Sequence, residues 1–181
     1  MIICTQQLQT PIGTMIAGVN GQGLYLLDYP VRSGGLDKIL SRIAQVQQAK
    51  FQGERHPMHD QLEQQLAAYF SGTLQAFDIP LQLSGSPFQN RVWQELLRIP
   101  YGSTRSYMQQ ALKVGDPKAI RAVAKANGDN SIAILVPCHR IIGSNGSLTG
   151  YAGGLQAKKD LLSLEQRYSG MGVQGMLNVE C

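Results

Sequence analysis

The stretch Ile132-Ala133-Ile134-Leu135-Val136, followed at once by Pro137-Cys138-His139-Arg140, constrains the fold more than any other part of the chain. Consecutive apolar residues have to be covered on every side, and Pro137 pushes Val136 into an extended backbone. The run therefore predicts a buried strand that stops at Cys138. A thiol is then delivered where the chain turns, beside two basic side chains, a setting that lowers a cysteine pKa and favours the thiolate. Cysteines without such neighbours are more often small buried hydrophobes, and Cys4 and Cys181 have none. Residues adjacent in a helix or strand point in different directions, so His139 reaches the sulfur only through a tight turn or a bridging water.

A chain of 181 residues holds one good core or two small ones. No apolar run is long enough to span a bilayer, and residues 1–7 lack the basic and apolar segments of a secretory signal. Three scattered cysteines form neither a disulfide framework nor a CxxC zinc pattern, which fits the reducing cytoplasm. Charge is unevenly distributed. Residues 1–86 carry five Lys/Arg against six Asp/Glu, whereas residues 87–181 carry eleven against six. Such asymmetry suggests that the second half meets a polyanion.

In the first half, Ile2–Leu8, Met15–Val19 and Leu24–Leu27 read as strands, with a hairpin turn at Asn20-Gly21. Leu36, Ile39, Leu40, Ile43 and Val46 follow helical spacing, as do Leu62, Leu66, Tyr69 and Phe70 in a second helix ending at Ser71-Gly72. Between them, His56-Pro57-Met58-His59-Asp60 has no further partner at ligand spacing and reads as a solvated loop. A short strand and linker over 78–86 mark a boundary, giving domains at 1–83 and 87–168 and a frayed tail at 169–181.

The second half opens with a helix from Pro87, carrying Phe88, Val92, Trp93, Leu96 and Leu97 and stopped by Pro100-Tyr101-Gly102. A helix over Ser103–Leu112 capped by Ser103 or Thr104, a turn at Val114-Gly115-Asp116, and a helix over Lys118–Asn127 led by Pro117 make a helix-turn-helix outline. Lys118, Arg121 and Lys125 fall on one face among alanines that would let a duplex approach; a solvated amphipathic helix is the plain alternative. Asn145-Gly146 again marks a hairpin. The glycines around Tyr151 suit either close approach of a ligand or simple flexibility. A last helix spans Gln156–Gln166 with Leu161, Leu162 and Leu164 inward.

Taken together, these residues resemble the O6-alkylguanine-DNA alkyltransferases (methylated-DNA–protein-cysteine methyltransferases) of the bacterial stand-alone type. The resemblance rests on Ile134–Ile142 around Pro137-Cys138-His139-Arg140, on Ser106-Tyr107, on Pro117–Val123, and on Asn130. Gly150-Tyr151-Ala152-Gly153-Gly154-Leu155, Lys158, Leu161-Leu162 and Glu165 extend it. It is strong over 87–167 and only general before that.

The resemblance implies an α+β fold: an amino-terminal α/β domain with a small antiparallel sheet, ribonuclease H-like, joined to a winged helix-turn-helix domain. It implies irreversible, single-turnover transfer of an alkyl group from O6-alkylguanine, and from O4-alkylthymine, in duplex DNA to Cys138 after the base is flipped out. Cys138, a water, His139 and Glu165 would form the activating network, and Tyr107 would assist guanine as leaving group. Arg121 would fill the place of the flipped nucleotide, with Lys118, Lys125 and Lys158 as further binding residues. Carbonyls of Cys138 and Ile141 and the Ala152 amide would read the base, Tyr151 and Gly153 would line its pocket, and Asn130 would brace the loop that carries the thiol. No metal or organic cofactor is implied, nor a membrane or obligate protein partner, so a cytoplasmic monomer is expected.

Three positions depart from the family pattern. Ser131 replaces a proline common after Asn130, Asn127 replaces a methionine of some relatives, and Cys4, His56 and His59 do not match the zinc set of larger ones. Rival readings are a lesion-binding module without chemistry, which the presence of Cys138 opposes, a Cys-His hydrolase, which the adjacency of the pair opposes, and a transcription regulator, for which no dimerisation element is visible.

Overall fold

The computed structural model describes residues 1–32 and 35–170. Strands β1 (Ile2–Thr10), β2 (Gly13–Asn20) and β3 (Gly23–Asp28) form an antiparallel meander, and β4 (Lys50–Gln52) adds in parallel to β1, giving the order β3-β2-β1-β4. β4 is three residues long, too short to show a pattern in the sequence. The turn between β2 and β3 lies one residue later than expected. Asn20 pairs with Gly23, its side chain accepts from Gln22 N (2.8 Å), and the positive φ falls on Gly23.

Helices α1 (Leu36–Gln47) and α2 (Pro57–Phe70) keep their expected stripes. Ile39 and Ile43 of α1 pack with Ile3, Tyr25 and Leu26 in a small core, while Leu62, Leu66 and Tyr69 of α2 join the main one. The segment expected to be a solvated loop is instead the start of α2. His56 Nδ1 accepts from Met58 N (3.1 Å), and buried His59 returns the favour by accepting from His56 N (3.0 Å). Both imidazoles are thus occupied in capping a helix whose first backbone N–H groups need acceptors.

Helix α3 (Pro87–Leu97) starts at its proline, capped by Ser86. Helix α4 (Tyr107–Val114) starts later than Ser103 because residues 105–106 form β5 (Arg105–Ser106), paired in parallel with β6 (Ile141–Ile142). Ser106 is its cap, accepting from Gln109 N (3.1 Å). Helix α5 (Ile120–Gly128) also starts later than expected, since Asp116 Oδ1 holds Lys118 N (2.8 Å) in a preceding turn. Lys118 therefore lies outside the helix that carries Arg121 and Lys125. Helix α6 (Gly154–Ser169) runs beyond both expected ends and takes in the start of the expected tail; residues 171–181 lie outside the described part.

The expected boundary at 84–86 does not divide the core. One hydrophobic cluster includes Met15, Leu24, Leu27 and Tyr69 from the first half and Val92, Trp93, Val123, Ile132 and Leu161 from the second. The outer edge of β3 is what joins them. Leu24 exchanges backbone hydrogen bonds with Pro80 and Gln82, and Leu27 with Ser131 and Ala133 (2.8 and 2.7 Å). Residues 78–86 make only the single bridge Leu24–Leu81 and no strand. Gly23 permits this closeness, because a Cβ there would lie 2.3 Å from Pro80 O. Gly23→Ala should therefore lower the unfolding free energy by about 2–4 kcal/mol, measured by urea denaturation; an unchanged midpoint would refute the close-approach account.

Candidate active site

Cys138 reaches its place through turns, contrary to the strand expected over 132–136. Ile132 bridges Leu27, and then Leu135 N binds Ala133 O (2.9 Å), Val136 N binds Ile132 O (3.0 Å) and Cys138 N binds Val136 O (2.8 Å). Ile134 takes φ 71°, a strained choice for a β-branched residue. Burial was rightly implied by the apolar run, but the backbone groups find partners within the segment and on one side chain. Asn130 Oδ1 accepts from Ile132 N (3.0 Å), while its Nδ2 contacts Val136 O (2.8 Å) and Cys138 Sγ (3.3 Å). Pro137 then opens a 3₁₀ turn, Cys138–Arg140, that leads into β6 and buried Ile141.

The thiol pKa is raised, the reverse of the shift expected from sequence. Burial pushes it up, and the hydrogen bond from Asn130 and the field of Lys158 offset this only in part. Arg140, the expected activator next door, faces away from the task. Its guanidinium donates to Glu165 (Nε to Oε2, 2.9 Å; Nη2 to Oε1, 2.8 Å) and to Ile99 O (2.6 Å).

Glu165, on α6, is fully buried and collects donors from three other parts of the chain. His139 Nε2 lies 2.8 Å from Oε1, Tyr69 OH donates to Oε1 (2.7 Å), Gly102 N donates to Oε2 (3.1 Å), and Arg140 supplies its fork. Burial alone would raise its pKa, but His139 and Arg140 overcome that and bring it down to about 2. An ionised carboxylate only accepts, so Nε2 of His139 carries the hydrogen and Nδ1 presents its lone pair. Nδ1 is buried without a hydrogen-bond partner among the described residues. Burial also lowers the His139 pKa, so the resting pair is neutral thiol and neutral imidazole.

Cys138 opens onto a cleft of about 610 Å³ whose lining includes Tyr107, Arg121, Asn127, Tyr151 and Ala152. Exposed Arg121 comes from α5, and Tyr107 from the first residue of α4, its hydroxyl donating to Thr149 O (3.2 Å). Asn127 is tied to Gln110 by paired amides (3.1 and 2.7 Å). Tyr151 stacks edge-on with Tyr29 (5.9 Å) and His139 (6.5 Å). Gly153 has to be glycine, since a Cβ there would lie 2.2 Å from Tyr29 Cζ.

The three lysines expected as further binding residues differ in their placement. Lys118 and Lys125 are exposed, the latter paired with Asp129 (2.7 Å). Lys158 is fully buried, and its ammonium ties down the 149–152 loop through Thr149 O (2.7 Å), so it is not a surface contact. Sequence reasoning missed Tyr69, Tyr29, Asp28 and Arg32. Arg32 pairs with Asp28 and donates to Asn130 O (3.2 Å) and Gly128 O, and Arg42 Nη2 donates to Asp129 O (2.8 Å). Asp28 ends β3 and Arg32 follows in a non-helical segment, so their spacing carries no local signal, and the tyrosines look like ordinary core residues.

Residues 87–167 match the family model described as 6-O-methylguanine DNA methyltransferase, DNA binding domain. A methylated-DNA–protein-cysteine methyltransferase of Methanosarcina barkeri is 44% identical over 88% of this chain and 94% of its own length. The chain belongs to the methylated-DNA–protein-cysteine methyltransferase family. The relative of that name from Mycolicibacterium paratuberculosis is 60% identical over 59% of this chain, a match that spans 64% of the relative's length. Among solved structures, this methyltransferase-family chain is similar to the Mycobacterium tuberculosis O6-methylguanine methyltransferase, with TM-score 0.76 and 40% identity over 92% of this chain and 94% of that one. A structure of the M. tuberculosis protein in complex with DNA matches equally well, at TM-score 0.76 and 40% identity over 93% and 94%.

The charges around Glu165 give this family member a defined acid sensitivity. Both Glu165 and His139 have pKa values lowered by folding, so each contributes stability above its unfolded-state pKa and loses it as pH falls toward the folded one. Stability should drop below about pH 6.5 as unfolded His139 gains its proton. A further loss of about 3 kcal/mol should follow between about pH 4.5 and 2 from Glu165. Urea midpoints measured against pH should show both steps, and Glu165→Gln should remove the lower one.

Proposed function

We propose that this chain repairs alkylated duplex DNA by direct reversal, moving the alkyl group from O6 of guanine, or O4 of thymine, onto Cys138 Sγ. One observation carries the reading. Of the cysteines on described residues, Cys4 lies on β1 beside Glu54, while Cys138 lines the cleft of about 610 Å³ together with Arg121, Tyr107 and Tyr151. The family acts on a protein cysteine, and of the two described cysteines Cys138 is the one with a cleft and a base beside it.

The chemistry follows from the neutral resting pair. His139 Nδ1 takes the thiol proton through a water, and Glu165 stabilises the imidazolium that forms. The thiolate then attacks the alkyl carbon. The S–C bond forms as the C–O bond breaks, and the electron pair leaves on the base, which Tyr107 neutralises by lending its hydroxyl proton. The thiolate exists only as the reaction begins, so a half-buried thiol of raised pKa stays unreactive toward stray electrophiles. A thioether offers water no leaving group, which makes the transfer irreversible and limits each molecule to one event. The electrophilic carbon resides in the damaged base, so the reaction calls on no cofactor.

An alkyl carbon inside a stacked duplex cannot meet Sγ in line, so the base has to be everted. We read α4, the 115–119 turn and α5 as the helix-turn-helix, with the 143–150 loop as its wing. Exposed Arg121, at the cleft mouth on α5, takes the place of the everted nucleotide. The excess of basic residues after position 86 supports a polyanionic partner, as does the DNA complex of the M. tuberculosis relative. Asn130 and the Lys158–Thr149 tie hold the two loops that enclose the base.

Incubation with a duplex carrying O6-methylguanine should add one methyl mass to the Cys138 peptide and no more than one per molecule. Turnover beyond one equivalent, or label retained by Cys138→Ala, would sink the assignment. Arg121→Ala should slow repair in duplex by about 10- to 100-fold while leaving reaction with free O6-alkylguanine nearly intact; equal losses on the two substrates would reject the eversion role.

A further inference from the structure

Tyr69 lies on α2, in the first half of the chain, where its spacing marks it as an ordinary core residue. Its hydroxyl, however, donates to Glu165 Oε1 at 2.7 Å, the same oxygen that holds His139 Nε2 and Arg140 Nη2, each at 2.8 Å. We propose that Tyr69 is a positioning residue for alkyl transfer: by sharing Glu165 Oε1 with His139, its phenol sets how firmly the carboxylate holds the imidazole and how readily Nδ1 accepts a proton. The inference rests on the reading of His139 as the base.

Competition for the carboxylate is the physical reason. A carboxylate offers about four lone-pair positions, and Glu165 meets five donors: Tyr69 OH, His139 Nε2, Gly102 N, and Nε and Nη2 of Arg140. Each charge-assisted bond draws electron density from the oxygen it uses. The phenol thus tempers the field that Glu165 applies to the imidazole and closes one of the directions along which the ring could swing. Burial and the nearby Glu165 charge push the Tyr69 pKa upward, so the phenol remains a donor at any working pH.

The ring does not need its hydroxyl to stay in place. It packs edge-on against Phe70 (5.4 Å) and Tyr101 (6.0 Å) and tilted against Phe77 (5.3 Å). Tyr69→Phe therefore removes one donor and little else. The other groups facing the imidazole stay as they are: Glu165 and Lys158 from α6, Arg140 from the 3₁₀ turn, the thiol of Cys138, and the phenol of Tyr151. Tyr101, behind Arg140, is also unaltered.

The test is the pH–rate profile for methyl transfer from O6-methylguanine duplex to Cys138, in wild type, Tyr69→Phe and Phe77→Leu, alongside an NMR titration of the His139 imidazole. With the phenol gone, Glu165 stabilises the imidazolium better. The acid limb of the profile and the His139 titration should both move up by about one pH unit in Tyr69→Phe. Phe77→Leu, which loosens the same aromatic cluster without touching Glu165, should lower Tm and leave both midpoints in place. Midpoints that stay put or fall in Tyr69→Phe overturn the proposal, as does an equal shift in Phe77→Leu. Absence of any transfer by the wild-type protein would overturn the functional reading itself, before the variants are compared.

Discussion

The buried carboxylate of Glu165 is the constraint on which the site depends. An ionised group with no exposure to water persists only if the protein replaces the hydration it has lost. Here α2 supplies a phenol, the segment after α3 a backbone N–H, and the 3₁₀ turn an imidazole and a guanidinium. The cost of burying the charge thus becomes a tie between three remote segments and α6. It also decides the chemistry, because a carboxylate that can only accept determines which nitrogen of His139 is free.

The first half of the chain is more than a cover for the second. Its edge strand β3 exchanges backbone hydrogen bonds with both 80–82 and 131–133. Arg32 and Arg42 hold the carbonyls of 128–130, and Tyr29 backs the Tyr151 loop so closely that only glycine fits at 153. Each side chain bears on a loop adjoining the cleft. The thiol, its brace Asn130 and the loop opposite are therefore positioned by residues distant in sequence, which makes the rigidity of the site a property of the whole fold.

Most of the helices, the meander and the site motif were legible in the sequence, because periodicity, prolines and the Pro137-Cys138-His139-Arg140 string are local signals. The errors have local explanations too. Residues 132–136 read as a strand because apolar runs do not reveal whether backbone partners come from a neighbouring strand or from a side chain such as Asn130. His56 and His59 were assigned to a loop because an imidazole is a rare helix cap. Lys158 reads as a binding residue because lysine almost never lies fully buried, and here its ammonium turns inward to a single carbonyl, Thr149 O.

What the sequence determined by itself is the inventory: a cysteine after a proline, a histidine beside it, a glutamate on the last helix, and a basic pair of helices upstream. Its order along the chain was enough to name the family. Only the tertiary structure decided the state of those groups. The thiol rests protonated instead of ionised, Arg140 serves Glu165 instead of the sulfur, and Tyr69 enters the network from the other half. The reason is physical: desolvation and hydrogen-bond competition depend on what surrounds a group in space, and adjacency in the chain carries little information about that.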